Sequence, residues 1–312
     1  MTVETIAELR RKRYNAAVVH LRRPNPDLMI VRIRPDFPRP PHRAGQYTTL
    51  GMGMWEPRYP GCQEEVRKPG DETRLVRRAY SISCSVLDDD GRLLDIDRTD
   101  WLEFYIVLVR ETADPARAPG LTPRLFMLRE GDRLQIGDRI TGHFTLEGVQ
   151  ADDTIVFLST GTGEAPHNYM LWELLHTGHR GRIVSVCCVR YARDLGYADI
   201  HARLQQMYSQ YTYVPLTTRE AVNAGQKVYI QDLLTSGQLE QILGRPLQPE
   251  STHVYLCGNP AMIGMPGVDP ETGATRYPQP TGVIEILETR FGFRRDVPAA
   301  KFRGNIHSEE YW

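Results

Sequence analysis

The sequence predicts an antiparallel β-barrel domain over residues 1–150, an α/β parallel-sheet domain over residues 151–300, and a short tail at 301–312. Three observations carry that prediction. The chain has 312 residues, about twice the ~150 of an ordinary domain. Its first half breaks into short β-rich runs punctuated by Pro and Gly, the pattern of a barrel or sandwich. From about residue 150 apolar runs alternate with helical stretches, which implies βαβ units and a parallel sheet.

In order, the β-rich runs of the first half are residues 14–21, 28–34, 45–50, 79–84, 101–109, 133–136 and 142–146. Residues 35–41 and 51–77 read as loops, the second long enough to be a specific decoration. In the second half, 154–158 is a continuous apolar run, followed by a Gly-rich turn and the helix-like HNYMLWELLHTG. A run at 183–189, the helical YADIHARLQQMYSQ, a run at 211–215, a helix at 233–243 and the strand HVYLC complete the alternation. The last segment, 302–312, is polar except for its two terminal aromatics.

Composition narrows the function classes. With 41% hydrophobic and 25% charged residues the chain has the balance of a soluble globular protein. A net charge of -1 gives no bulk attraction to nucleic acid. No apolar run approaches the ~20 residues of a membrane helix, and MTVETIAELRRKR lacks the apolar core of a signal peptide. Five scattered cysteines (Cys62, Cys84, Cys187, Cys188 and Cys257) do not make a disulfide framework, and a cytoplasmic location is expected. No CxxC and no Cys/His cluster has metal-ligand spacing, so no metal is expected.

Three motifs bear on chemistry. LSTGTGEAP, residues 158–166, lies between a buried strand and a helix, where a doubly wound sheet presents backbone N–H groups to a phosphate. An ordinary strand–helix turn would use the same glycines, and GxGxxG is not matched because Pro166 takes the last position. CGNPAM, residues 257–262, ends another apolar run, at the strand end where open α/β sheets bind ligands. RAYS, residues 78–81, places a cation beside an aromatic ring in the first domain and suits a phosphorylated aromatic ligand, although an exposed strand with a snorkelling arginine reads the same way.

In order, RAYS, GLTPRL, GTGEAP and CGNPAM resemble the motif series of the ferredoxin–NADP+ reductase superfamily, and FRGNIHSEEYW resembles the C-terminus of its bacterial ferredoxin (flavodoxin) members. The resemblance spans nearly the whole chain. It implies an FAD-binding barrel and an NADP(H)-binding α/β domain, with the tail returning to the flavin. Arg78, Ala79, Tyr80 and Ser81 would bind FAD, with Arg78 on the pyrophosphate, Tyr80 on the isoalloxazine and Ser81 near N5. Phe104, Tyr105, Ile106 and Val107 would line its ribityl and adenine side, and Gly120, Leu121 and Thr122 would hold its pyrophosphate. Thr160, Gly161, Thr162 and Gly163, with Cys257, Gly258, Asn259, Pro260 and Met262, would hold NADP(H). Cys257 would lie beside the nicotinamide.

The same resemblance makes TTRE and KVYIQ the 2′-phosphate and adenine segments, with Thr218, Arg219, Lys227, Tyr229 and Gln231, and with Arg190 assisting. The absence of a clear acidic residue for a ribose 2′-OH in those segments favours NADP over NAD. Tyr311 would stack on the isoalloxazine, where the nicotinamide must come, and would have to move aside in turnover; Trp312 would stack on the FAD adenine.

The implied reaction is hydride transfer between NADP(H) and flavin N5, with single electrons exchanged with ferredoxin or flavodoxin. Ser81, Cys257 and Tyr311 are the expected catalytic positions. Neither nucleic acid nor a membrane is an expected partner, and a monomer is expected. An oxygenase reductase component, a flavin reductase, or a non-catalytic flavoprotein subunit or sensor remains open. The N-terminal extension and segments 51–77, 88–100 and 264–282 depart from the compact bacterial pattern.

Overall fold

The computed structural model describes residues 1–114, 116–223, 225–269, 271–297 and 302–311. The chain forms two compact units, Met1–Thr145 and Leu146–Trp312.

The first unit opens with helix α1 (Val3–Arg13), started by Thr2, whose Oγ1 accepts the Thr5 amide at 3.2 Å. None of its residues is buried, so tertiary bonds must hold it. Arg10 Nε donates to Glu56 Oε1 at 2.8 Å, and Tyr14 Oη and Trp55 Nε1 donate to the same oxygen at 3.0 Å each. Then come β1 (Ala16–Asn25), β2 (Leu28–Pro35), β3 (Tyr47–Gly53), β4 (Leu75–Ser81), β5 (Leu102–Val107), the short helix α2 (Thr122–Leu125) and β6 (Arg133–Ile136). Among the described residues these strands form one six-stranded antiparallel sheet in the order β4-β3-β6-β1-β2-β5. Just beyond β4, Ser83 N donates to Glu103 O of β5 at 2.8 Å, so the two edges meet and the sheet closes. Val18, Ile30, Ile33, Phe104, Leu134 and Ile136 fill the core.

One expected run is not a strand. Residues 142–146 form a turn, with only Thr141 bridged to Tyr47. Gly142 takes φ 124° and the Thr145 amide donates to His143 O at 3.0 Å, which bends the backbone out of the ladder.

The second unit contains β7 (Thr154–Thr160), α3 (Glu164–His176), β8 (Ile183–Val189), α4 (Ala198–Met207), β9 (Tyr211–Thr217), α5 (Ile230–Thr235), α6 (Gln238–Leu243), β10 (Thr252–Gly258), α7 (Pro260–Ile263), β11 (Gly267–Val268), β12 (Thr275–Arg276), α8 (Val283–Phe291) and β13 (Ile306–Glu310). The parallel order is β13-β10-β7-β8-β9. β8 is buried along its whole length and β7 up to its final residue, which is why both read as continuous apolar runs. The single helix expected at 233–243 is two, because Gly237 at φ 77° breaks it and starts α6. The polar tail supplies a strand: β13 pairs with β10 from Val254↔Ile306 to Gly258↔Glu310. Among the described residues no helix is long and apolar enough to cross a membrane.

Strands β7, β8 and β9 step outward in one direction, and β10 then returns to the other side of β7. The topological switch point therefore lies between the C-terminal ends of β7 and β10, where this architecture opens a crevice.

Candidate functional site

At that switch point the two anticipated turns interlock. After Thr160 the chain makes a short 3-10 turn, Gly161–Gly163, and enters α3. After Gly258, Asn259 caps α7, its Oδ1 accepting the Ala261 amide at 2.8 Å. Thr160 Oγ1 accepts the Asn259 amide at 2.7 Å and stitches one turn to the other. A Cβ on Gly163 would collide with the Cys257 carbonyl, and one on Gly258 with Thr160, so both glycines are there for close backbone approach. Gly161 differs: its φ is +54° and a Cβ there would meet nothing within 4 Å. Thr162 is half-buried beside it, Pro260 is half-buried in the second turn, and Met262 belongs to the core beneath.

The 2′-phosphate candidates lie beyond the ends of β8 and β9. Thr218 N donates to Val189 O at 3.0 Å and Arg219 N to Arg190 O at 2.8 Å, so main-chain bonds hold Arg190 and Arg219 side by side past the strands. Both side chains are exposed, as are Lys227 and Tyr229. The Tyr229 amide donates to Asp232 Oδ2 at 2.7 Å at the start of α5, and Gln231 Nε2 reaches Thr281 O at 3.5 Å.

β13 carries Tyr311 to the end of β10, where its amide donates to Gly258 O at 2.9 Å. Cys257 is fully buried. Burial pushes its thiol well above its ordinary value, with the charge of Glu309 adding and a hydrogen bond with Tyr311 opposing, so Cys257 is a neutral thiol rather than a nucleophile. Trp312 lies outside the described residues.

In the first unit, β4 presents Arg78 and Ala79 exposed, Tyr80 half-buried and Ser81 buried, opposite Leu50, Thr49, Thr48 and Tyr47 of β3. Arg78 Nη1 donates to Arg77 O at 2.9 Å. Burial raises the Tyr80 phenol above its ordinary value, against the pull of Arg78, and keeps it protonated. Phe104, Tyr105 and Ile106 are buried, while Val107 is 43% exposed and is the one of these four side chains at the surface.

The loop before α2 has Gly120 and Thr122 half-buried and Leu121 buried. Thr122 Oγ1 accepts the Val109 amide at 3.1 Å and ties the loop to the end of β5. Behind it stands Arg124, fully buried, which the sequence reading did not single out. Its Nη1 donates to Gly120 O at 2.5 Å, and its Nη2 to Glu65 Oε2 at 2.6 Å and Met54 O at 3.1 Å. Glu65 comes from the long segment between β3 and β4, so that decoration is pinned to the loop. Glu164, at the start of α3, was likewise not anticipated as a buried group.

The residues fit two dinucleotides. Gly161 leaves open space at a switch point and exposed Arg190 and Arg219 stand side by side, as NADP(H) would require. Exposed Arg78 beside a protonated Tyr80 would suit the anionic and aromatic parts of FAD. A closed antiparallel sheet followed by a switch-point α/β sheet defines a two-unit dinucleotide-binding oxidoreductase. In agreement, residues 157–266 match the family model "Oxidoreductase NAD-binding domain". The flavodoxin/ferredoxin–NADP reductase of Escherichia coli (strain K12) is 31% identical over 224 residues, covering 72% of this chain and 76% of that protein. The ferredoxin–NADP reductase of Pseudomonas aeruginosa is 28% identical over 200 residues, covering 61% of this chain and 69% of that one. Among solved structures, a ferredoxin NADP+ reductase from Neisseria gonorrhoeae with bound FAD and NADP superposes with a TM-score of 0.63 at 23% identity, covering 95% and 97% of the two chains. The chain belongs to the flavodoxin/ferredoxin–NADP reductase family.

Proposed function

We propose that this protein is an FAD-dependent ferredoxin/flavodoxin–NADP+ reductase. The single observation that carries the reading is the pair of interlocked turns at the β7/β10 switch point, with Gly161 left open. Bound FAD supplies the exchange between the two-electron chemistry of NADP(H) and the one-electron chemistry of ferredoxin or flavodoxin. The chain's own residues bind and orient. Arg78, Tyr80 and Ser81, with the Gly120–Thr122 loop, hold FAD. Gly161–Gly163 and Cys257–Asn259 hold the NADP(H) pyrophosphate and nicotinamide ends, and Arg190, Arg219, Lys227 and Tyr229 hold the 2′-phosphate and adenine. Cys257 Sγ keeps its proton and serves as a small, neutral neighbour for the ring. Tyr311 guards the same strand end. The protein acts as a monomer in the cytoplasm.

The test combines FAD reconstitution with steady-state oxidation of NADPH and NADH in the presence of ferredoxin and cytochrome c. The expected result is a yellow protein that reduces cytochrome c through ferredoxin and prefers NADPH. A folded, colourless protein that takes up no FAD would sink the reading.

A further inference from the structure

Glu164 follows the Gly161–Gly163 turn directly and lies in the first turn of α3. An acid there usually faces water and is stabilised by the helix dipole. Glu164 is instead 3% exposed and points inward. Tyr213 Oη of β9 donates to its Oε1 at 2.8 Å, and His201 Nε2 of α4 lies 3.2 Å from the same oxygen, close enough to pair in charge but not aligned for a hydrogen bond. His201 is itself buried, stacked on Tyr213 with ring centres 4.0 Å apart, and its Nδ1 is 2.7 Å from Tyr211 Oη. From β8 the Cys187 thiol, raised chiefly by burial, lies against the same carboxylate. Oε2 has no aligned donor, and among the described residues no lysine or arginine pairs with Glu164.

Burying this carboxyl group costs free energy, which the bond from Tyr213 offsets at Oε1. The geometry shows what the group does. Gly163 is pressed against the Cys257 carbonyl on the β10 side, and the next residue, Glu164, is bonded to β9 and packed against His201 of α4 on the other. The downstream end of the turn is thus gripped from both sides, while Gly161 is open.

Resting on the proposed NADP(H) role of that turn, we infer that Glu164 is a positioning residue. Together with Tyr213 and His201 it sets where the turn's amides stand and thereby the affinity for the dinucleotide pyrophosphate. Glu164 touches no ligand. Its contribution is registration of the turn, which depends on an acceptor at Oε1 more than on a charge.

The experiment titrates FAD-loaded protein with NADP+ by difference absorbance and runs steady-state kinetics beside it. Glu164→Leu should weaken NADP+ binding about tenfold or more, because a lost buried bond leaves Tyr213 Oη unpaired. Its KM for NADPH should rise while kcat at saturation stays within about twofold, a uniform-binding signature that general destabilisation would not give. Glu164→Gln keeps an acceptor for Tyr213 and should recover most of the affinity. Tyr213→Phe removes one hydroxyl and should raise the NADP+ Kd about threefold to tenfold, which keeps the test alive if Glu164→Leu does not fold. Unaltered NADP+ affinity in Glu164→Leu and Tyr213→Phe would overturn the inference, as would a Glu164→Gln variant no better than Glu164→Leu. Failure of the unsubstituted protein to bind NADP+ would instead overturn the functional reading on which it rests.

Discussion

The two Gly-containing turns, Gly120–Thr122 in the first unit and Gly161–Gly163 in the second, are the proposed pyrophosphate sites and are backed by different buried groups. Behind the first stands Arg124, fully buried and bonded to the Gly120 carbonyl, with Glu65 as its counter-ion. Behind the second stands Glu164, answered by a phenol and an imidazole. Arg124 is neutralised by Glu65 and holds its loop through the Gly120 and Met54 carbonyls, so the first turn is fixed by a paired ion and two main-chain bonds. Glu164 fixes the second turn through a single acceptor, Oε1, bonded by Tyr213, so this turn depends on backbone placement. Under the proposed function the first turn would serve the resident FAD and the second the exchanging NADP(H).

The sharpest way to break the comparison is Arg124→Met. It strands Glu65 and leaves two carbonyls without their donor, so the first unit should lose about 3–5 kcal/mol in urea unfolding, with FAD retention falling in step. An unchanged midpoint would mean the pair is inert. Next in size is Gly163→Ala. Its Cβ must displace backbone at Cys257, so NADP+ affinity should fall at least tenfold, by about 1.4 kcal/mol or more, with FAD content intact.

Acid should act on the first turn through Glu65. Burial works to raise its carboxyl, but the hydrogen bond and charge of Arg124 prevail and hold it below the ordinary 4.5. The stabilisation is therefore present above pH 4.5 and is lost as pH falls through the depressed value. Glu65→Gln should flatten that part of the stability–pH curve, measured by thermal unfolding between about pH 3 and 6. A curve of unchanged slope would assign the effect to other carboxyls. Gly161→Ala has room for its methyl but keeps φ at +54°, so about 1 kcal/mol of strain and a modest loss of NADP+ affinity are expected, well short of Gly163→Ala. The smallest effect is expected at Arg219→Ala. One exposed charge-assisted contact is lost, and the NADPH-over-NADH preference should drop about fivefold and become less salt-sensitive.

Much of the fold is legible in the sequence. The run at 183–189 is β8 to the residue because the apolar stretch is bounded by Arg182 and Arg190, and 133–136 is β6, with Gly131 and Gly137 on its two sides. The turn at 158–166 lies between strand and helix as its glycines require. What was not legible has a common cause: it depends on partners distant in sequence. Helix α1 has no apolar stripe and is held by Arg10 on Glu56. β13 is a strand because it pairs with β10, while IHSEE shows no apolar alternation. Glu164 was in plain view within GTGEAP. An acid opening a helix reads as an exposed dipole partner, and its inward course depends on Tyr213 and His201, about fifty and forty residues further on.

The segment that carries the β11–β12 hairpin leaves and rejoins the second unit between the ends of α7 and α8. Gly264, at φ 70°, ends α7, Gly282 begins α8, and their backbones touch so closely that neither could carry a side chain. The excursion between them is tied back to the unit as well: Tyr277 packs against the core and its Oη donates to Glu288 Oε2 of α8 at 2.7 Å. Length and composition can therefore change at the β11–β12 tip, whose Gly267, Val268, Thr275 and Arg276 are exposed, while Tyr277 and the two glycines keep the helix ends in place.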